Sequence, residues 1–98
     1  METSLQVTFR DVPHSPTLGR KIRRKVAKLE SLAPGMTRCR VTLERRDYRH
    51  RRVGRYAVRI DVHLPSHEIV VSHQPDEDLA AAVRDAFAAA ARRLKELA

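Results

Sequence analysis

Five histidines and one cysteine are the residues best suited to metal or nucleophilic chemistry: His14, His50, His63, His67, His73 and Cys39. Structural zinc sites use closely spaced pairs of ligands, and zinc proteases place two histidines around a Glu on one helix turn. The sequence contains neither a pair of cysteines nor a His-Glu-x-x-His motif. Cys39 alternates with Val41 and Leu43, which predicts a small buried residue of the core. We therefore expect no metal site and no cofactor.

Acidic residues and glycines also lack a catalytic arrangement. The run Asp76, Glu77 and Asp78 precedes a predicted helix, where carboxylates cap free N–H groups and complement the helix dipole. The three glycines are far apart and form neither a phosphate-binding loop nor a nucleophile elbow. We expect a protein that is not an enzyme and has no small-molecule substrate. A nucleic-acid-processing enzyme is the weakest alternative.

Positive charge is the dominant chemical feature of the chain. Its 98 residues include 20 Lys and Arg against 12 Asp and Glu, and 15 of the basic residues but only 3 acidic ones lie between Arg20 and Arg59. Such a concentration is expected for binding a polyanion, because each Lys or Arg that meets a phosphate releases condensed counterions. A generic solvated surface is the alternative. A membrane partner is disfavoured because the basic segments lack large apolar anchors such as Trp.

The first predicted helix positions much of this charge. Ser15 and Pro16 provide an N-cap and a first helical residue, and Pro34 with Gly35 ends the helix. One apolar stripe follows the helical repeat, with Leu32 near its edge: Leu18, Ile22, Val26 and Leu29. The basic residues on the remaining surface are candidate RNA contacts: Arg20, Lys21, Arg24, Lys25 and Lys28.

Four segments alternate apolar and polar residues, as half-buried strands do: residues 5–10, 39–44, 56–64 and 68–72. The solvent-exposed face of these strands is predicted to carry Gln6, Thr8, Thr42, Arg59 and Asp61. A very basic connection over residues 45–54 is predicted to extend the hairpin into a mobile loop. This loop is a possible additional RNA-binding segment, through Arg45, Arg46, Arg49, Arg51 and Arg52.

A second helix is predicted after the acidic run at residues 76–78. Its apolar stripe comprises Leu79, Val83, Phe87, Ala90, Leu94 and Leu97. Helical geometry also exposes basic residues on it, and two of them, Arg84 and Lys95, are further candidate RNA contacts. The order β-α-β-β-β-α predicts an α+β two-layer sandwich, with a four-stranded mixed sheet and both helices on one face.

The chain has no linker-like segment, so we expect one domain over residues 1–98. The start lacks a signal-peptide pattern and no stretch is apolar enough to span a membrane, which favours a cytoplasmic location.

The sequence resembles the ribosome hibernation-promoting-factor family, also labelled sigma-factor modulation proteins. The resemblance lies in residues 25–30, 58–71 and 78–87 and in Arg92-Arg93-Leu94. The resemblance runs along nearly the whole chain in order. It implies a layout similar to that of double-stranded-RNA-binding domains. Two departures stand out: Ala80 occupies a position that is usually aromatic in the family, and the basic loop is richer in arginine.

The resemblance implies a ribosome-associated translation inhibitor that acts in the stress response of slowly growing cells. The expected partner is the small ribosomal subunit and its rRNA in the decoding channel, where the protein would block mRNA and tRNA. Lys25, Lys28 and Arg92 match basic positions of the family helices and are the implied rRNA contacts. Because the sequence ends soon after the second helix, we expect a short form, for which a separate ribosome-pairing factor is a candidate partner. A general double-stranded-RNA-binding or protein-interaction module is the alternative.

Overall fold

Two helices and four strands follow one another along the chain in the order that the sequence predicts. The computed structural model describes residues 3–46 and 55–97. Within these ranges the elements are β1 (Ser4–Arg10), α1 (Pro16–Leu32), β2 (Arg38–Arg46), β3 (Arg55–His63), β4 (Glu68–Asp76) and α2 (Leu79–Glu96). The predicted order β-α-β-β-β-α is therefore confirmed. Neither described helix is long and apolar enough to cross a membrane.

The strands form one mixed sheet in the order β1-β2-β3-β4. β1 and β2 are parallel, with Val7 opposite Val41, because α1 carries the chain back between them. β2 and β3, and then β3 and β4, are antiparallel neighbours joined by direct connections. β4 therefore runs in the same direction as β1. As a result, α1 and α2 both begin at the same end of the sheet and run in the same direction.

Helix α1 begins and ends where the sequence predicts. The hydroxyl of Ser15 accepts a hydrogen bond from the backbone N–H of Leu18 at 3.2 Å, and Pro16 occupies the first helical turn. Ile22, Val26 and Leu29 are buried. Leu32, placed at the edge of the stripe, is 38% exposed in the last turn.

Helix α2 is capped by Asp78, whose carboxylate accepts hydrogen bonds from the N–H groups of Ala80 and Ala81 at 2.9 and 3.4 Å. Its buried face contains Val83, Phe87 and Leu94 together with alanines, which allow the helix to lie close to β3 and β4. Leu97 was predicted to belong to this stripe. It is 47% exposed instead, because the helix ends at Glu96.

The core lies between the helices and one face of the sheet. It is almost entirely aliphatic, and the described residues bury no polar or charged residue within it. Cys39 belongs to this core, as predicted. Burial raises the pKa of its thiol from 9.0 to about 11, with smaller contributions from the negative charges of Asp61 and Glu30. The thiol is therefore neutral at physiological pH.

Two predicted boundaries are wrong. β4 continues to Asp76, whereas the sequence predicted a strand over 68–72. The pairing with β3 contains a bulge between the Tyr56 and Val58 positions. β4 is also an edge strand, where a proline such as Pro75 removes no hydrogen bond that the sheet needs.

The second difference concerns Arg45 and Arg46, which extend β2 and are not part of the loop. Arg49, Arg51 and Arg52 lie outside the described residues.

Candidate nucleic-acid interface

The basic residues of α1 divide into three groups around the helix axis. With about 100° between successive residues, Arg20 and Arg24 lie opposite the buried stripe. Lys21, Lys25 and Lys28 share one flank, and Arg23 lies on the other. All of these side chains are exposed except that of Lys25, which is half-buried.

The neighbouring elements decide what each flank faces. A groove between α1 and the edge strand β1 is lined by Val7 and Phe9 from the strand and by Gly19, Arg23 and Glu30 from the helix. The Arg23 flank therefore faces β1. Because α1 also contacts α2, the opposite flank, which carries three lysines, faces the second helix.

The basic residues of α2 divide in a similar way. Arg92 and Arg93 line a groove with Val70 and Val71 of β4, so this flank of α2 faces the other edge of the sheet. By the helical repeat, Arg84 and Lys95 lie on the side that faces α1.

Five basic residues therefore border the seam between the helices, which we call the basic seam: Lys21, Lys25, Lys28, Arg84 and Lys95. Since the helices run in the same direction, Lys21 and Arg84 lie near one end of the seam, and Lys28 and Lys95 lie towards the other. By the helical repeat, Ala80 and Ala91 of α2 lie on the same side as Arg84 and Lys95. A seam bordered by long cationic side chains over small residues can follow a phosphate backbone.

Most of the positive charge at the basic seam is not neutralised within the protein. Among the described residues, Lys21, Lys25 and Lys28 form no ion pair with a carboxylate. Arg84 does contact a carboxylate, since its Nε donates to Oδ1 of Asp85 at 3.2 Å. Asp85 also lies 3.7 Å from Nε2 of His73 on β4. These exposed contacts contribute little stability, so the arginine can exchange its partner for a phosphate at small cost.

The helix surfaces offer charge without a stacking platform. Phe87 is buried beneath α2, and Phe9 and Tyr56 lie on strands. Within the described ranges, no aromatic side chain lies on the exposed side of either helix. The geometry can thus recognise a phosphate backbone and the shape of a folded RNA, but it offers no aromatic platform on which bases stack.

A family model matches almost the whole chain. Residues 5–98 match the model described as "Sigma 54 modulation protein / S30EA ribosomal protein". The chain belongs to this family. Membership in the sigma 54 modulation protein / S30EA family confirms the resemblance found in the sequence and makes the chain a ribosome-associated protein. Comparison with curated proteins finds no match.

Solved structures confirm the fold. The N-terminal domain of Thermus thermophilus Protein Y superimposes with a TM-score of 0.79 at 19% identity, over 99% of this chain and 100% of that domain. A ribosomal subunit interface protein from Coxiella burnetii gives a TM-score of 0.80 at 16% identity, over 97% of both chains. At such low identity, the likeness establishes the α+β sandwich and nothing about individual contacts.

The structure brings some of the predicted site residues of this family member together and separates others. The five residues of the basic seam lie along one surface, and Arg20 and Arg24 lie on the adjacent crest of α1. Arg92 lines the groove between α2 and β4 with Arg93, so it is not among the residues that border the basic seam. Arg45 and Arg46 are the last two residues of β2 and therefore belong to the sheet and not to either helix.

Sequence reasoning missed three arginines on the face of the sheet opposite the helices: Arg10, Arg38 and Arg40. Each is exposed and shares the alternation of residues that were predicted to be wet. The signal was present, because Arg40 stands two residues before Thr42 on the same strand. The described residues also contain no group of three or more His, Cys, Asp or Glu that could hold a metal ion.

Proposed function

We propose that this protein is a ribosome hibernation factor that binds small-subunit rRNA in the decoding channel and blocks the binding of mRNA and tRNA. The basic seam is the primary contact, with Arg20 and Arg24 beside it. Arg92 makes a separate contact on the far side of α2. The protein acts by occupying the channel, so no catalytic group is required.

The observation that carries this proposal is the row of lysines on α1 that face α2 without a carboxylate partner among the described residues. Like charges at such spacing destabilise an isolated helix by about 0.2–0.5 kcal/mol per pair. Their presence on one surface is explained if phosphates neutralise them in a complex. The family to which the chain belongs supports rRNA as the source of those phosphates.

The fold favours structured RNA over isolated single strands at the basic seam. Sequence-specific binding of single-stranded RNA commonly uses aromatic residues that stack on bases. The described helix surfaces carry none. Backbone contacts made by lysine and arginine on a rigid pair of helices are instead suited to the fixed phosphate positions of folded rRNA.

Co-sedimentation with purified small subunits over a salt series tests this proposal. About five phosphate contacts predict a log-log slope of about −3.5 to −4.5 between binding constant and salt concentration. The bound protein should also reduce the retention of a labelled mRNA on the same subunits. A flat salt response, or full mRNA binding at saturation with the protein, would contradict the proposal.

A general double-stranded-RNA-binding module is the alternative that this experiment must separate. Competition with an excess of duplex RNA makes the distinction. A hibernation factor stays on the subunit, whereas a general duplex binder redistributes to the competitor in proportion to the phosphate supplied.

A further inference from the structure

The face of the sheet opposite the helices is a second ordered basic surface. Alternate residues of the strands point to it, and it forms a shallow concavity of about 580 Å³. Its polar lining includes Gln6, Thr8, Thr42 and Ser72. Four arginines and the carboxylates of Glu44 and Asp61 also line the concavity, and Arg38 lies on the same side of β2 as Arg40. We call the surface that the five arginines form the arginine face: Arg10, Arg38, Arg40, Arg46 and Arg59.

The strand register places these arginines in consecutive rows across the sheet. Along β2, every second residue from position 38 to position 46 defines a row on this face. Arg38, Arg40 and Arg46 occupy three of the rows themselves. In the row of Thr42, the arginine is Arg59 of β3. In the row of Glu44, it is Arg10 of β1. Each row therefore supplies at least one guanidinium, and in the row of Arg46 the register partner on β3 is a further arginine, Arg55.

The spacing of the rows suits a polynucleotide strand. Residues two apart on a strand are separated by about 6.5–7 Å, which is comparable to the distance between neighbouring phosphates of one nucleic-acid strand. The five rows extend over about 27 Å. A groove of positive charge at this spacing can follow the backbone of several nucleotides.

Part of this charge is available for a ligand. The Nε of Arg59 lies 3.2 Å from Oδ1 of Asp61, and that of Arg46 lies 3.6 Å from Oε2 of Glu44. Arg10, Arg38 and Arg40, by contrast, form no ion pair or hydrogen bond through their side chains with any residue in the described ranges. Guanidinium groups bind phosphates in a bidentate manner and can stack on bases. Hydroxyl and amide groups between them can contact the 2′-hydroxyls of RNA.

We propose that the arginine face binds single-stranded RNA. This interface is distinct from the basic seam, since the sheet separates the two, and it does not depend on the proposed function. A protein that carries both surfaces binds a folded RNA on its helices and an extended RNA strand on its sheet. The extended strand is held mainly through its backbone, so binding tolerates different base sequences.

Fluorescence anisotropy with a short labelled oligouridylate tests the arginine face directly. The sheet variant is Arg10→Glu/Arg40→Glu. Its matched control is the helix variant Lys25→Glu/Lys28→Glu, which changes the net charge by the same amount. We expect the sheet variant to lose about tenfold or more in affinity and about 1.4 units of salt slope, the value for two contacts with a single strand. The helix variant should retain affinity within about threefold.

Two further measurements keep the result interpretable. Circular dichroism shows whether each variant is folded, and the milder Arg10→Gln/Arg40→Gln variant should show a smaller loss of the same kind. Photocrosslinking of oligo(4-thiouridine) to the parent protein should label peptides from β1 and β2. Equal losses in the sheet and helix variants, or crosslinks confined to α1 and α2, would overturn the proposal. Binding of the helix variant to small subunits tests the basic seam separately, so the two proposals can fail independently.

Discussion

Reversal of two charges on α1 should remove ribosome binding without unfolding the protein. In the helix variant, Lys25 and Lys28 become Glu, whose helix propensity is close to that of Lys. Neither lysine belongs to the buried stripe, and neither forms an ion pair within the described residues. The free energy of unfolding should therefore change by no more than about 0.5 kcal/mol.

The magnitude of the binding effect follows from counterion release. Each phosphate contact contributes about 0.7–0.9 to the log-log salt slope, so a fourfold rise in salt weakens binding about threefold per contact. Two lost contacts should flatten the slope by about 1.4–1.8 units. When the salt concentration is raised fourfold, the affinity of the parent should therefore fall by a factor about 7 to 12 times larger than the factor for the variant. Its absolute affinity should be lower throughout, because the new carboxylates repel phosphate.

The assay is co-sedimentation with small subunits at about 50 and 200 mM salt, together with inhibition of cell-free translation. The matched control is Arg23→Glu/Arg93→Glu, which has the same charge change on exposed residues that face the two edges of the sheet. The control should keep most of its binding and inhibition. If both variants lose binding equally, affinity follows net charge and the basic seam is not the site. A folded helix variant that binds and inhibits like the parent would refute the assignment outright.

Three other predictions concern stability. Asp78→Ala removes the acceptor of two N-terminal N–H groups of α2 and should cost about 1 kcal/mol by urea denaturation; an unchanged midpoint would contradict the capping role. Phe87→Ala opens a cavity beneath α2 and should cost about 3–5 kcal/mol, whereas a loss below 1 kcal/mol would show that the site collapses. Because burial raises the pKa of Cys39 from 9.0 to about 11, the folded state holds a proton that the unfolded state releases, so stability should fall as pH rises from about 9 to 11. A Cys39→Ala variant should lack this pH-dependent component, and an identical slope in both proteins would show that other groups cause it.

Local patterns were sufficient to predict the fold. In β2 and β3 the alternation leaves only one face of each strand apolar, so the buried face is determined by the sequence. The Ser15 cap and the apolar stripe likewise identify α1 from local sequence alone. The end of β4 was not predictable in this way. Pro75 is normally a signal against a strand, and only the edge position of β4, which is a property of the whole sheet, makes it acceptable.

The candidate site was predictable only in part. Helical periodicity shows that Lys25 and Lys28 avoid the core, but it cannot show what lies beside them. The packing of α1 against α2 decides that these lysines border a seam, and the position of α2 over β4 decides that Arg92 faces elsewhere. The rows of the arginine face depend on register between strands that are far apart in sequence, so no single segment carries that signal.

The bulge in β4 has a consequence for the protein at high concentration. An open four-stranded sheet has two edges whose free N–H and C=O groups can pair with another molecule, which is a common route to aggregation. In β4, the irregular pairing near Tyr56 and the proline at position 75 interrupt the regular edge. In β1, the regular edge ends at Asp11, whose φ of 56° turns the chain out of the strand. The free edge of β4 is therefore interrupted and that of β1 is limited to seven residues, which should disfavour the growth of a long intermolecular ladder.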